Sequence, residues 1–428
     1  MSAAKIGMRF ARVVGRFLFA SFMAIAFVFS GIIINFLQFL LYITLFNRFR
    51  NFYRKINYYL IYTTWAQVVA FAQWWSGSRV RKWGAEEDIK KFGTEHCLVI
   101  MNHKYDTDWL YCWMTCEDLG MLANAKSCAK KSLMKIPVIG WGWIFGEMIF
   151  LERSWEKDKV TLGPKLDNLV SYEDPIMILY FCEGTRFTPE KHQASLEFAR
   201  ANNLPILEHH LSPRTRGFNF TVKHLKTKIA AVYDVQLAFP DGPVKPTFAN
   251  MLKGNSFNGD IHIKRYPMSE IPTDSDEASS KWLHNLYVEK DRLMDNYFKT
   301  QRFPGVCIKV KPRIFPLLNV IFWSAVVGVP FCRLLLYILV NGSLFAISAV
   351  VSIAMLFFTI MYYMVRATSS AKGSSYGKDK SPKRINNGSV SHESANGSAN
   401  SISDIPVSES SETDSIGNEN SDTVESNS

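Results

Sequence analysis

Three short polar motifs in this 428-residue chain each follow directly on a run of apolar residues. The apolar runs are residues 97–101, 148–151 and 176–181. The motifs that follow them are residues 102–108, 152–153 and 182–186, in the same order. Continuous apolar runs of this length are typical of strands that are covered on both faces. Because reactive groups of open α/β sheets gather beyond the carboxyl ends of the strands, we expect the three motifs to share one pocket.

The first motif places a histidine and an aspartate five residues apart, across a predicted strand-to-helix turn. A histidine between a substrate hydroxyl and a carboxylate can act as a general base, while the carboxylate holds the ring tautomer and stabilises the imidazolium. His103 and Asp108 could form such a pair. A lone histidine is more often a hydrogen-bonded structural residue, and this spacing also arises by chance, so the pair alone is weak evidence.

The other two motifs supply arginines. Arg153 could equally be a surface residue, and Arg186 could equally pair with Glu183. Gly184, in a tight turn after a strand, allows close approach of the backbone to a ligand, and forked guanidinium groups suit phosphate. Two arginines beside a His–Asp pair indicate a phosphorylated substrate that carries a hydroxyl group.

Several common catalytic motifs are missing from the sequence. It contains no Gly-x-Ser-x-Gly elbow, no Gly-x4-Gly-Lys-Ser/Thr loop and no His-Glu-x-x-His, which argues against a lipase of that type, a P-loop nucleotidase and a zinc protease. Cys112 and Cys116 have no nearby pair of histidines, and His209-His210 is typical of an ordinary loop or strand. We therefore expect no metal and no resident cofactor.

The segments between the apolar runs predict the elements that must position the motifs. Residues 108–118 and 155–172 have helical patterns, and further strands are expected at 229–239 and 260–265. This alternation predicts an α/β domain with a sheet flanked by helices, which we place at residues 86–312.

The charge of the chain is segregated along its length. The net charge is +11, from 49 Lys+Arg and 38 Asp+Glu, and residues 1–85 hold eleven basic residues and no acidic one. These charges flank long apolar runs, which favours an anionic membrane surface over nucleic acid as the partner. A hydrophobic content of 48% excludes a disordered chain, and seven cysteines are too few for a disulfide scaffold.

Two parts of the chain are long and apolar enough for the membrane. Residues 17–47 lack charge and predict an uncleaved spanning anchor, and residues 56–78 predict an amphipathic helix that either lies at the interface or spans. Residues 314–365 hold one charge, Arg333, and the turn Asn341-Gly342-Ser343 divides them into helices at about 317–340 and 344–365. A buried core hairpin is the alternative for this second part.

These patterns predict four regions. They are an N-terminal membrane anchor and interfacial helix (1–85), the α/β domain (86–312), a C-terminal transmembrane hairpin (313–366) and a disordered, acidic Ser/Asn-rich tail (367–428).

Taken together, the three motifs resemble the sequence blocks of the glycerolipid acyltransferase family. Residues 102–108 match its Asn-His-x4-Asp block, 150–153 match Phe-x-x-Arg, and 183–186 match Glu-Gly-Thr-Arg, in the family's order. A fourth, proline-containing block begins at 204–207, but Glu208 follows where an apolar-proline continuation is usual. Further segments resemble the gamma and delta branch of the 1-acylglycerol-3-phosphate acyltransferases: 129–133, 139–141, 211–218, 230–235 and 372–377.

The resemblance implies transfer of an acyl group from acyl-CoA to the sn-2 hydroxyl of lysophosphatidic acid, which gives phosphatidic acid. His103 would take the hydroxyl proton, Asp108 would orient His103, and no acyl-enzyme would form. The resemblance assigns the glycerol phosphate to Arg153, Glu183, Gly184, Thr185 and Arg186.

Other functions remain open from the sequence. The acceptor could be another lysophospholipid such as lysophosphatidylinositol, the His–Asp pair could serve a hydrolase, or the chain could be a non-catalytic membrane scaffold. The expected partners are acyl-CoA, lysophosphatidic acid and a lipid bilayer, and not nucleic acid. The expected location is the endoplasmic reticulum membrane, which the chain crosses more than once, with the catalytic domain in the cytosol.

Overall fold

The computed structural model describes residues 3–152 and 154–369, in which strands and helices alternate. The strands are β1 (Arg79–Gly84), β2 (Cys97–Met101), β3 (Ala125–Lys130), β4 (Ile149–Leu151), β5 (Met177–Tyr180), β6 (Ala231–Ala238), β7 (Asn258–Pro267) and β8 (Val306–Lys309). The helices are α1 (Ala3–Leu45), α2 (Arg50–Ala70), α3 (Glu86–Lys91), α4 (Asp108–Asp118), α5 (Ile139–Phe145), α6 (Trp155–Val170), α7 (Pro189–Ala201), α8 (Thr215–Leu225), α9 (Phe248–Leu252), α10 (Asp276–Thr300), α11 (Phe315–Trp323), α12 (Val329–Asn341) and α13 (Leu344–Ser369).

The strands form one mixed sheet in the order β4-β3-β5-β2-β6-β7-β1-β8. The first five strands in this order, from β4 to β6, are parallel to one another. The pairs β6–β7 and β1–β8 are antiparallel. This confirms the predicted α/β class. Since β2 lies directly beside β5, with Ile100 opposite Tyr180, the first and third motifs leave the sheet side by side.

Alternate residues of β2 face two separate hydrophobic cores. Cys97, Val99 and Met101 pack with α2 and α4, whereas Leu98 and Ile100 pack with α6, α8 and α10. All five are buried, as the continuous apolar run predicts for a central strand. The sheet is therefore covered on both faces, and its carboxyl edge is left for the motifs.

The predicted strands in the five apolar runs and the predicted helices at 108–118 and 155–172 are confirmed. Strand β1 was not predicted, because its sequence is basic. Its charges are paired: Arg81 donates two hydrogen bonds to Asp260 (2.6 and 2.5 Å), and Lys82 lies 3.4 Å from Asp118. Because β1 pairs with β7, the sheet begins before residue 86, where the predicted catalytic domain starts.

Two helical segments are long and apolar enough to cross a membrane, Val14–Leu45 and Phe315–Asn341. Both fall in predicted membrane regions. The chain turns at Gly342 before α13, so the division of the C-terminal region into two helices is confirmed.

The second uncharged stretch forms α2 and the π-helical turn after it, Phe71–Trp75. Its residues Trp65, Ala66 and Val69 are buried in the core beside α4. One face of this stretch therefore packs on the core beside α4, and its predicted place at or across the membrane stays a prediction.

Helix α1 lies antiparallel to α2 and along the α/β domain. Gln38 Nε2 donates to Asn57 Oδ1 (2.8 Å), and Gln67 Nε2 donates to Ser30 Oγ (3.1 Å). Near the other end of α1, the Arg16 guanidinium donates to the Lys253 carbonyl (3.3 Å). Contacts thus run along most of the length of α1.

The tail predicted to be disordered lies outside the described residues from position 370 onward, as does the branch-like segment 372–377.

Candidate active site

His103 and Asp108 form a hydrogen-bonded pair at the carboxyl end of β2. His103 Nδ1 lies 3.0 Å from Asp108 Oδ2, and the same oxygen accepts the backbone N–H groups of Lys104 (2.6 Å) and Tyr105 (2.9 Å). The Asp108 side chain is 1% exposed, whereas the His103 ring is 19% exposed. Because Asp108 holds the proton on Nδ1, Nε2 is the ring atom that can accept a proton from a substrate.

Local sequence explains this geometry. The turn after β2 reverses at residues 104–107, and Asp108 is the first residue of α4. A carboxylate at a helix N-terminus is stabilised by the helix dipole, and here it also accepts backbone hydrogen bonds. The backbone N–H groups of Lys104 and Tyr105 therefore hold the Asp108 carboxylate in place, in addition to its contact with His103.

The third motif holds His103 from the neighbouring strand. The His103 N–H donates to Glu183 Oε1 (2.9 Å), the Phe187 N–H donates to the His103 carbonyl (2.7 Å), and the His103 ring stacks on Phe181 at 4.2 Å. Both backbone groups and the ring of His103 are thus fixed by residues some 80 positions later. Phe181 and Phe187 were not among the predicted site residues.

Glu183 lies beneath the site and is not on its surface. It is 2% exposed, and its second oxygen, Oε2, accepts the Leu211 N–H (3.3 Å). Burial raises the pKa of Glu183 to about 8, against the opposing effect of these backbone hydrogen bonds. In the structure Glu183 bridges the His103 and Leu211 backbones, and its contact with the glycerol phosphate, implied by the resemblance, stays a prediction.

The other residues of the third motif form a tight turn. Gly184 has φ of 70° and its N–H donates to the Phe181 carbonyl (2.9 Å), so the position favours glycine. Thr185 Oγ1 accepts from Lys191 Nζ (2.7 Å). Arg186 follows the turn, partly exposed, and its charge opposes the rise in pKa that burial causes at Asp106.

Arg153 lies outside the described residues, so its predicted phosphate contact stays a prediction. The residue before it, Glu152, is described, and it accepts from Lys131 Nζ (2.6 Å) just beyond β4. Strand β4 is at the edge of the sheet, three positions from β2.

The residues that could hold a metal do not point to one. Cys112 and Cys116 are free and buried in α4. Among the described residues, Glu208, His209 and Asp295 bring ligand atoms within 4.8 Å of one another, but His209 Nε2 already bonds Asp295 Oδ1 (2.7 Å). We assign no metal to this ion pair.

The segment 211–214 belongs to the site although its residues were not predicted there. Leu211 contacts Glu183, and the Arg214 N–H donates to the Cys182 carbonyl (2.7 Å). In the sequence this segment stood out only by its match to the gamma and delta branch, and such a match does not show where in the fold a segment lies.

Comparison with known proteins gives consistent matches. The family model described as "Acyltransferase" matches residues 81–233, and "Acyltransferase C-terminus" matches residues 250–323. The human 1-acyl-sn-glycerol-3-phosphate acyltransferase delta is 38% identical over 360 residues, which cover 84% of this chain and 94% of that protein. The human gamma protein is 38% identical over 358 residues, with the same coverage of both chains. The crystal structure of the 1-acyl-sn-glycerophosphate acyltransferase PlsC from Thermotoga maritima matches with a TM-score of 0.41 and 21% identity, over 67% of this chain and 98% of that one.

Proposed function

This chain belongs to the family of 1-acyl-sn-glycerol-3-phosphate acyltransferases, and we propose that it acylates the sn-2 hydroxyl of lysophosphatidic acid from acyl-CoA to make phosphatidic acid. The observation that carries this proposal is the 3.0 Å contact between His103 Nδ1 and Asp108 Oδ2. It leaves Nε2 as the proton acceptor at a partly exposed edge of the sheet, where a hydroxyl can approach.

In this mechanism His103 takes the sn-2 hydroxyl proton on Nε2 while the hydroxyl oxygen attacks the thioester carbonyl. The new C–O bond forms, the C–S bond breaks, and the CoA sulfur leaves with the proton that the imidazolium returns. The buried Asp108 carboxylate stabilises the imidazolium between these steps.

The environment of Cys182, the cysteine of the third motif, supports direct transfer without an acyl-enzyme. Cys182 directly precedes Glu183, but it is buried, and burial raises its pKa to about 12. A thiol that stays protonated at neutral pH is a poor nucleophile. In this mechanism acyl-CoA is the co-substrate, and no resident cofactor takes part.

The turn of the third motif supports the binding of an anionic acceptor. Arg186 stands at its partly exposed end, while Glu183 is turned inward and each of its oxygens accepts a backbone N–H. A guanidinium fork matches phosphate oxygens. We assign the glycerol phosphate to Arg186 and the backbone of Thr185, with Gly184 shaping the turn and Glu183 supporting it.

The outward face of α1 supports the proposal that this site lies next to a lipid bilayer. It exposes large apolar side chains: Phe29, Ile32, Ile33, Phe36, Phe39, Leu40 and Ile43. Apolar surface of this extent is typical of contact with lipid or protein, and the eleven basic residues before residue 86 suit an anionic lipid surface.

We place the protein in the endoplasmic reticulum membrane with its α/β domain in the cytosol, where acyl-CoA is made available. The sequons at Asn387 and Asn396, in the part of the chain beyond the described residues, provide a check. Two C-terminal spans return the chain to its starting side, so glycans at either sequon would contradict a cytosolic catalytic domain.

A matrix of acyl-CoA donors and lysophospholipid acceptors, assayed with the purified full-length protein, tests the function. We expect phosphatidic acid from lysophosphatidic acid, with lower activity on lysophosphatidylinositol. Preference for lysophosphatidylinositol would move the acceptor to that class. Release of free fatty acid without an acceptor would indicate a hydrolase, and no turnover of any pair would indicate a scaffold.

A further inference from the structure

The Arg214 side chain lies directly over Gly184, in the turn that carries Arg186. A Cβ atom built on Gly184 would lie 2.8 Å from both Cδ and Nε of Arg214 and 3.4 Å from its Cζ. The space that a side chain at position 184 would occupy is therefore filled by the end of the Arg214 side chain. The positive φ favours glycine here, and any Cβ at this position would also displace the end of the Arg214 side chain.

Arg214 is held in place by its own backbone and by its neighbours. Its N–H donates to the Cys182 carbonyl (2.7 Å), and the Ser212 N–H donates to Ser195 Oγ (2.8 Å). Leu211 is tied to Glu183. The segment thus runs alongside the third motif, and Arg214 enters the site from a different part of the chain than Arg186.

The charge arrangement at this turn favours an anion. Arg186 and Arg214 both reach this turn, and the acidic residue of the turn, Glu183, is buried and faces the His103 and Leu211 backbones instead of the arginines. Guanidinium groups bind phosphate through paired hydrogen bonds. A phosphate monoester carries roughly −1.5 to −2 charges and three terminal oxygens, so it can engage two guanidinium groups. A phosphodiester carries less charge and fewer terminal oxygens.

Resting on the acceptor site proposed above, we propose that Arg214 is a second phosphate-binding residue of this enzyme. It binds the terminal phosphate of lysophosphatidic acid together with Arg186 and favours phosphate monoesters over phosphodiester acceptors such as lysophosphatidylinositol.

The test compares Arg214→Gln and Arg214→Lys with Arg216→Gln in the purified full-length protein. Arg216 is the matched control, because it is exposed in the first turn of α8, two residues away. We expect Arg214→Gln to raise the KM for lysophosphatidic acid at least about tenfold, the size of one lost charge-assisted contact, with the KM for oleoyl-CoA unchanged. Arg214→Lys should recover part of the loss, and Arg216→Gln should match the wild type. In Arg214→Gln the preference for lysophosphatidic acid over lysophosphatidylinositol should fall by about the same factor as the KM rises.

Equilibrium binding of lysophosphatidic acid, measured without acyl-CoA, separates this inference from the proposed function. Weaker binding by Arg214→Gln than by the wild type supports it even if transfer is slow. Equal binding overturns it even if the wild type makes phosphatidic acid, and a rise in the KM for oleoyl-CoA alone also overturns it, since Arg214 would then bind the phosphates of CoA. A wild type that neither binds nor acylates lysophosphatidic acid overturns both. Should Arg214→Gln fold poorly, Arg214→Lys decides, because its ammonium group cannot form the paired hydrogen bonds of the guanidinium fork, and binding equal to that of the wild type then overturns the inference.

Discussion

The backbone N–H of His103 donates a 2.9 Å hydrogen bond to Glu183 Oε1, which joins the first sequence motif to the third. The contact is possible because β2 and β5 are neighbours in the sheet, with Ile100 opposite Tyr180. Glu183 in turn accepts from the Leu211 N–H, so three segments of the chain meet on one buried carboxyl group. The proposed general base is therefore positioned by residues that do not touch substrate.

Glu183 should make the stability of the protein depend on pH. Burial raises its pKa from an ordinary value of 4.5 to about 8, so the folded state binds this proton more tightly than the unfolded state does. The stability is then full below the unfolded pKa and is lost as the pH rises through about 8. Glu183→Gln cannot titrate, and its melting midpoint relative to the wild type should rise between about pH 5 and pH 9.

Thermal unfolding of both proteins across this pH range gives the measurement. The exposed Glu197 on α7 supplies the control, and Glu197→Gln should track the wild type at every pH. A constant difference between Glu183→Gln and the wild type would show that the carboxyl group titrates with the same pKa in both states.

Asp108→Asn should impair the base and keep most of the fold. The asparagine oxygen can take the place of Asp108 Oδ2 and accept from the Lys104 and Tyr105 N–H groups, but the amide carries no charge to stabilise the imidazolium of His103. We expect kcat to fall roughly 10²–10⁴-fold. Asp276→Asn, at the exposed first turn of α10, controls for the loss of a helix-start carboxylate and should keep full activity. Activity of Asp108→Asn within a few-fold of the wild type would contradict this role.

Gly184→Ala should lower both stability and activity. The alanine must adopt a φ of 70° and would place its Cβ 2.8 Å from Arg214 Cδ, so the backbone or the arginine has to move. We expect a loss of about 1–3 kcal/mol in unfolding free energy and a fall in transfer rate. Gly217→Ala on α8 is the matched control, because its Cβ would meet nothing within 4 Å, and it should be neutral or stabilising. Equal effects of the two changes would exclude this account of Gly184.

Arg54 should be the main link between α2 and the α/β domain. Its side chain is 5% exposed, Arg54 Nε lies 2.8 Å from Glu147 Oε2, and its guanidinium also donates to Asn168 and Ser171. Burial opposes ionisation of Glu147, but hydrogen bonds from Arg54 and Tyr172 lower its pKa to about 2. Arg54→Ala leaves this carboxylate buried without its main partner, which should cost about 3–5 kcal/mol.

The neighbouring Arg50 tests whether burial decides this effect. It also contacts Glu147, at 2.9 Å, but its side chain is 42% exposed. Arg50→Ala should therefore change the unfolding free energy by at most about 1 kcal/mol. Similar losses for the two variants in thermal unfolding would contradict a dominant buried link.

The sequence predicts the elements whose signal is local. The runs that become β2 and β5 are apolar throughout, and α4 starts at Asp108 as its pattern indicates. Strand β1 could not be recognised, because Arg81 and Lys82 are neutralised by Asp260 and Asp118, which lie far along the chain. Pairing that depends on distant partners leaves no local pattern.

The same reason explains what the sequence predicted about the site. His103 and Asp108 are five residues apart, so their pairing follows from one turn. The inward direction of Glu183 depends on the Leu211 N–H, 28 residues later. The position of the Arg214 side chain over Gly184 depends on how the segment 211–214 runs alongside the third motif. Both required the three-dimensional structure.

The central claim is that His103 is the general base of acyl transfer to lysophosphatidic acid. It is tested most directly by the rate of phosphatidic acid formation from oleoyl-CoA and lysophosphatidic acid, measured for purified wild type and His103→Ala at equal, folded concentrations. The wild type should form phosphatidic acid, and the variant should be slower by roughly 10²–10⁴-fold. A variant that retains activity within a few-fold of the wild type would contradict the claim.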